Sequence, residues 1–472
     1  MLFMVIVYRF AGLIACLGIS LYTYTTFLLF YLIGGVLTLP GVAALVIGIG
    51  MAVDTCVINF ARIKDELKKG SSLKAAYKKG NKNSLLTIID ANLTTLLVAI
   101  ILFILGESSI KGFATMLIIS IFVTLIVMLY VTRWILKIFV ETSFFDDKLN
   151  LFIGLSKKEK KEHEFNFVKF GKKYSIFAII FVVVGIISLF VFKLNLGLEF
   201  KGGTSINVIA SNEITEENIK NDLQELEYNL IEIEKIEDKN YIITISDVLD
   251  AEKVANTEKH FKDKYVANTE IGVISNLVKK DLIINAFKSL IYALIGIILY
   301  VSIRFKFSYA ISGLLALFLD VFAMVTLFSI FKLEVSSIFI AAILSIVGYS
   351  INDTIVTFDR VREYITKKNK KLKDEELEEI TNLSLKETVM RSIITTITTL
   401  IPTICLIIFG SHEIMNFNIA LLIGLINGSL SSLFFAPTIW LILTKREMKK
   451  PKTKKWYEID EKEEKSIKGI NS

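Results

Sequence analysis

Long apolar runs, each bounded by short charged segments, dominate the chain. Runs of about twenty residues match a helix crossing a hydrocarbon core of about 30 Å. Ten spans are read near 11–33, 40–61, 84–105, 112–138, 175–193, 283–303, 309–331, 335–358, 388–410 and 415–444. The pattern changes in one polar stretch, 194–282. There "TSINVIA" and "NYIITISDV" have strand-like patterns,. "TEENIKNDLQELE" has helical spacing and opens with Thr215 three residues before Asn218,. About ninety residues suffice for a small α+β domain.

Composition sharpens this picture. With 53% hydrophobic residues among 472 and a mean hydropathy of +0.58, the chain lacks the polar surface a soluble protein needs,. It is read as an α-helical polytopic membrane protein. The net charge of +7 points neither to nucleic acid nor to an acidic substrate. Its Lys and Arg concentrate in the loop 62–83, the stretch 141–174, the loop 359–388 and the tail after Thr444. Loops 106–111 and 332–334 are short and weakly charged. Basic loops face the cytoplasm, so 194–282 is expected outside and the C-terminus inside. Cys16, Cys56 and Cys405 lie in apolar segments and suggest packing, not a disulfide framework,. His163, His260 and His412 are too dispersed for a metal site, and no cofactor is expected. Met1–Val7 lacks a basic n-region and a small-residue cleavage site, so no cleavable signal peptide is expected,.

The chain repeats itself. "GMAVDTCVINFARIKDE" at 50–66 pairs with "GYSINDTIVTFDRVREY" at 348–364, with one residue gapped after the shared Asp-Thr. "ANLTTLLVAIILFILG" ending at Gly106 matches "TITTLIPTICLIIFG" ending at Gly410. Asp54 and Asp353 thus occupy equivalent positions in two pseudo-repeated transmembrane halves, an organisation common in transporters. A carboxylate within such a span costs roughly 3 kcal/mol or more. Arg9 falls opposite Arg304, so "MLFMVIVYRF" aligns with only the tail of the helix near 283–303. The first half is therefore expected to be shortened at its N-terminus. Its missing part would be encoded upstream or supplied by a separate chain.

At these motifs the sequence resembles the SecD and SecF membrane components of bacterial protein translocation, fused in one chain. "GMAVDTCVINFARIKDELKKG", "DANLTTL" and "KGFATMLIISIFVTLIVMLYVTRW" resemble SecD. "NLGLEFKGGTSINV", "LYVSIRFKFSYA", "GYSINDTIVTFDRVRE" and "ETVMRSIITTITTL" resemble SecF, in that family's order. The resemblance covers nearly the whole chain and implies the resistance-nodulation-division fold class. It divides the chain into a SecD-like half (1–140), a basic cytoplasmic linker (141–174) and a first SecF-like helix (175–193). An external α+β domain (194–282), a SecF-like bundle (283–445) and a charged cytoplasmic tail (446–472) follow. It implies a non-enzymatic accessory of the Sec channel in the bacterial plasma membrane, drawing polypeptide outward with the proton gradient. The implied partners are SecY/SecE/SecG-like channel subunits, a SecA-like ATPase, the translocating polypeptide and the lipid bilayer. The chain departs from the family by reading Asp54-Thr55-Cys56 for Asp-Ala-Asn and by placing Leu319 where His often precedes the next Asp. The large external SecD domain is absent from it.

The family's proton-relay positions carry over to Asp54, Asp353 and Arg391. Such a relay needs a carboxylate whose charge changes with its surroundings, and a guanidinium supplies charge that does not titrate. Arg391, Thr395, Thr398 and Pro402 recur on one helix face,. The plainer reading is that both Asp residues only hydrogen-bond helices together. Asp320, Thr395 and Thr398 are candidates for the same network, and structural hydrogen bonding is the alternative for Asp320. Asp359, Arg360, Arg362 and Glu363, like Arg62 and Lys64, are expected to anchor helix ends at the interface. Gly202-Gly203 follows a span but no Lys-Ser/Thr pair follows it, so a tight turn is expected, not a phosphate loop,. A proton-driven exporter of lipids or small molecules and a non-transporting channel scaffold remain as alternatives.

Overall fold

The computed structural model describes residues 1–106, 108–155, 165–211, 214–237, 239–368 and 373–449. The basic run 156–164 with His163, part of the expected linker, and the expected tail from 450 onward lie outside the described residues. Among the described residues, ten helices are long and apolar enough to cross a membrane. The first half contributes α1 (Leu2–Leu32), α2 (Leu39–Lys68), α3 (Leu73–Leu105) and α4 (Ile110–Glu141), and α5 (Phe167–Phe192) follows. Next come the α+β helices α6 (Glu216–Glu225) and α7 (Ala251–Tyr265). The second half supplies α8 (Asn276–Arg304), α9 (Phe307–Ile330), α10 (Ser337–Lys368), α11 (Asp374–Phe409) and α12 (His412–Met448).

Several helices outrun the apolar spans. Helix α3 begins eleven residues before the expected position 84, and most of the expected loop 359–388 is helical. Apolar runs mark only the part of a helix that lipid can cover. Lys, Glu and Arg are good helix formers and carry the same helix onward into water.

The halves repeat in three dimensions. Helix α2 packs on α11 while α10 packs on α3, so each half inserts its polar helix against the other. Both α4 and α12 contain a π-helical segment, Thr124–Val131 and Ser431–Phe435. The alignment of Arg9 with Arg304 has a backbone counterpart. Arg9 interrupts α1 with φ 52° and ψ −122°, and Arg304 ends α8 before α9 begins.

The α+β unit contains an antiparallel sheet of β2 (Gly203–Ile209), β3 (Leu230–Glu237), β4 (Asn240–Ile245) and β5 (Asn268–Ile274), in the order β3-β4-β2-β5. Alternation along β2 and β4 buries Ile206, Val208, Tyr241, Ile243 and Ile245 with Ile219, Leu223 and Phe261,. Gly202 and Gly203 take φ 75° and 122°, and a Cβ at Gly203 would lie 2.2 Å from the Ile245 carbonyl oxygen. The pair is therefore the turn into β2. Thr215 caps α6 by accepting from the Asn218 amide,. Buried Asp222 ties α6 to α7, accepting from Tyr265 Oη at 2.5 Å and from Lys264 Nζ. Burial pushes its carboxyl up, but bonds from Lys264, Tyr265 and His260 outweigh this and hold it below the usual carboxylate range,.

This unit is pinned to the helix that carries Asp353. Ahead of β2, β1 (Asn195–Leu196) pairs in parallel with β6 (Glu334–Val335), which ends two positions before α10 begins. The Glu199 carboxylate accepts from the Ser337 amide, the first residue of α10. Lys279 Nζ donates to the Lys201 carbonyl at 2.8 Å, fastening the start of α8 to the same corner.

Candidate functional site

Asp54 and Asp353 lie within the buried middle stretches of α2 and α10, and Arg391 lies on α11. All three are nearly inaccessible, at 3%, 7% and 6% exposure. Arg391 Nη2 donates to Asp353 Oδ1 at 2.8 Å. Its Nε stands 3.9 Å from Asp54 Oδ1, so one guanidinium serves a carboxylate from each half.

Neutral donors complete the two carboxylates. Asp353 Oδ1 also accepts from Ser392 Oγ at 2.9 Å, and Oδ2 accepts from Ser432 Oγ at 2.6 Å. Asp54 accepts from Thr395 Oγ1 at 2.9 Å and from Asn352 Nδ2 at 3.1 Å. The cross-half bond from Asn352 is notable because the family's own Asn is replaced in the Asp54-Thr55-Cys56 motif. Thr395 thus joins the site. Thr398 does not: its hydroxyl donates to the Thr395 carbonyl of its own helix. Sharing a helical face with Arg391 does not by itself bring a hydroxyl to the carboxylates.

Asp320 forms a neighbouring cluster, fully buried. It accepts from Ser350 at 2.5 Å, Asn427 at 2.7 Å and Ser431 at 3.0 Å. The π-helical segment links the clusters, since adjacent Ser431 and Ser432 serve Asp320 and Asp353 respectively. A π segment displaces the helical register locally, which lets consecutive side chains address different partners.

Charge and register make the site asymmetric. In the register that pairs Gly106 with Gly410, Arg391 corresponds to Thr87, whose hydroxyl donates to Asp359 instead. Two carboxylates therefore share a single cation within hydrogen-bonding or ion-pairing reach, among the described residues. Such a cluster can change its net charge by one proton without acquiring or losing a counter-ion.

Close helix approach holds this geometry. A Cβ at Gly50 would lie 2.8 Å from Thr399 Oγ1 and 3.3 Å from its Cβ. Gly348 on α10 is looser, with Thr95 Cα and Cγ2 both at 3.5 Å. Gly50→Ala is expected to destabilise the bundle by about 1–3 kcal/mol, as overpacking does. Gly348→Ala is expected to be near neutral. Thermal unfolding in detergent compares them, and equal midpoints would contradict the account.

Sequence reading missed Asn352, Ser392, Ser431, Ser432 and Asn427, which are neutral residues scattered over three helices. It also placed Arg360 at an interface, whereas its side chain is only 6% exposed. Arg360 is held by Asp65, Glu363 and Glu387. Charge following an apolar run signals a helix end, but burial there depends on the opposing half.

Comparison with known proteins fits this geometry. The family model "Protein export membrane protein SecD/SecF, C-terminal" matches residues 1–142 and 253–446, and the "SecD/SecF GG Motif" matches 187–208. The protein translocase subunit SecDF of Bacillus subtilis is 44% identical over 465 residues, covering 95% of this chain and 63% of the relative. SecF of Alicyclobacillus acidocaldarius is 32% identical over 293 residues, covering 61% of this chain and 95% of the relative. The crystal structure of SecDF from Thermus thermophilus superposes with a TM-score of 0.83 at 28% identity, covering 94% of this chain and 60% of that one. The chain thus spans about three-fifths of the SecDF relatives it matches most fully. Its two pseudo-repeated halves, the glycine pair at the turn into β2 and the matched segments converge: the chain belongs to the SecD/SecF family of protein export membrane proteins.

Proposed function

We propose that the chain is an accessory subunit of the Sec protein translocase that uses the proton gradient to promote export across the bacterial plasma membrane. The observation that carries this reading is the single Arg391 guanidinium shared between Asp353 and Asp54 at the junction of the halves. One bound proton makes this cluster electrically neutral, and its loss restores one net negative charge. Protonated Asp353 no longer competes for Arg391 as an anion, so Arg391 gains freedom to pair with Asp54. Two helix arrangements with different Arg391 contacts would then alternate with proton binding and release.

The α+β unit would lie outside, in line with the basic loops at the opposite end. Through Glu199 and the β1–β6 pair, movement of α10 would be passed to that unit. Asp320 would act as a positioning residue, holding Ser431 so that Ser432 addresses Asp353. The partners in this reading are a SecY/SecE/SecG-like channel, a SecA-like ATPase and the moving polypeptide. The test is translocation into inverted vesicles with and without an imposed proton gradient, in membranes containing or lacking this chain. Gradient stimulation that requires the chain supports the reading. Stimulation indifferent to it leaves a scaffold.

A further inference from the structure

The strongest feature outside the relay is a set of charges where α2, α10 and α11 come together beyond Asp54 and Asp353. Arg62 of α2 donates to Glu363 of α10 at 3.0 Å. Arg360 of α10 donates to Asp65 of α2 at 3.1 Å. These bonds are one another's counterparts. In the register that pairs Phe60 with Phe358, Arg62 corresponds to Arg360 and Asp65 to Glu363. Each half thus offers an arginine to the other half's carboxylate, around the same pseudo-twofold relation that places Asp54 near Asp353. Asp359 lies 3.7 Å from Arg62, and Glu387 accepts from Arg360 Nε at 2.5 Å, so α11 is held as well. Both arginines are largely buried, at 13% and 6% side-chain exposure, which separates this cluster from ordinary charged helix ends,.

Along α10, Asp353, Thr357 and Arg360 recur at i, i+4 and i+7, one face of the helix,. The Thr354 and Thr357 hydroxyls are buried without a hydrogen-bond partner among the described residues. The stretch between the carboxylate site and the arginines is therefore polar, and the charge cluster closes its far end. Because the two prongs are reciprocal, any relative movement of α2 against α10 strains both together.

We propose that Arg62–Glu363 and Arg360–Asp65 form a two-pronged clasp that gates access to Asp353 from the end of the bundle opposite the α+β unit. It opens for a proton to be exchanged there. This inference rests on the relay reading for its purpose, but the gate itself has an independent readout. Thr357→Cys, in a background with Cys16, Cys56 and Cys405 replaced by Ala, places one thiol between clasp and relay. With the clasp intact, a small charged methanethiosulfonate applied to inverted vesicles should react slowly. In the Arg62→Ala, Arg360→Ala variant the rate should rise at least tenfold, and each single variant should give a smaller increase. An unchanged rate in the double variant overturns the gate.

A second measurement guards against misfolding. Arg62→Cys and Glu363→Cys, in the same cysteine-free background without Thr357→Cys, are joined by a short reducible bis-thiol reagent. Gradient-stimulated translocation should stop while ATP-driven translocation continues, and reductant should restore stimulation. Stimulation that persists with the link in place overturns the gate. Stimulation absent even before linking, when the separate Thr357→Cys protein does show clasp-dependent labelling, counts against the relay and not the gate.

Discussion

Asp353→Asn is expected to make translocation rates with and without a proton gradient equal, while ATP-driven translocation persists. Asparagine keeps the shape of the side chain and mimics a permanently neutral carboxyl. Its oxygen can still accept from Arg391 or Ser392, and its amide can donate to Ser432, which then accepts. Arg391 keeps Asp54 as a counter-charge 3.9 Å away. The expected cost in stability is therefore about 1–3 kcal/mol, that of a rearranged buried hydrogen-bond set, and not of a stranded charge. Membrane levels and thermal unfolding check this part. Inverted-vesicle translocation checks the coupling, and full gradient stimulation by the variant would leave Asp353 a purely structural role.

Arg391→Leu is expected to have the larger effect on stability. It removes the shared cation and leaves Asp54 and Asp353 buried with neutral donors alone. Breaking a buried pair in this way costs about 3–5 kcal/mol while the carboxylates stay charged. Arg391→Lys separates charge from geometry. A lysine restores one positive charge but lacks the planar fork that presents Nη2 to Asp353 and Nε toward Asp54. The lysine variant should recover most of the unfolding midpoint and little of the gradient stimulation. A lysine variant with full stimulation would show that any cation suffices and would remove the argument from shared geometry.

Much of this was legible in the sequence, for physical reasons. Helices in lipid must bury twenty apolar residues, so their positions appear as runs that no soluble fold requires. A carboxylate such as Asp353 stands out against that background, and internal repetition picked out Asp54 as its counterpart. The family resemblance pointed to Arg391, helical spacing from it to Thr395, and polarity within an apolar run to Asp320. The remainder was hidden because it is tertiary. Ser392, Ser432 and Asn352 are ordinary residues until helix crossing brings them to a carboxylate. The π segment at Ser431–Phe435 depends on bundle packing and carries no plain sequence signal. The reciprocal ties of Arg62 and Arg360 looked like interfacial charges, since burial at a helix end is decided by the other half. Thr398 shows the opposite error, where helical spacing suggested a contact that its own backbone carbonyl takes instead.

The most direct test is to count protons. Inverted vesicles carrying the complete translocase, with an acidic interior and a pH-sensitive dye outside, allow proton release to be followed as a polypeptide is driven inward. The account predicts release, beyond the protons freed by ATP hydrolysis, that accompanies translocation, requires this chain, and disappears in Asp353→Asn although polypeptide still enters on ATP. Translocation-linked release of equal size from the native and Asp353→Asn proteins would contradict it.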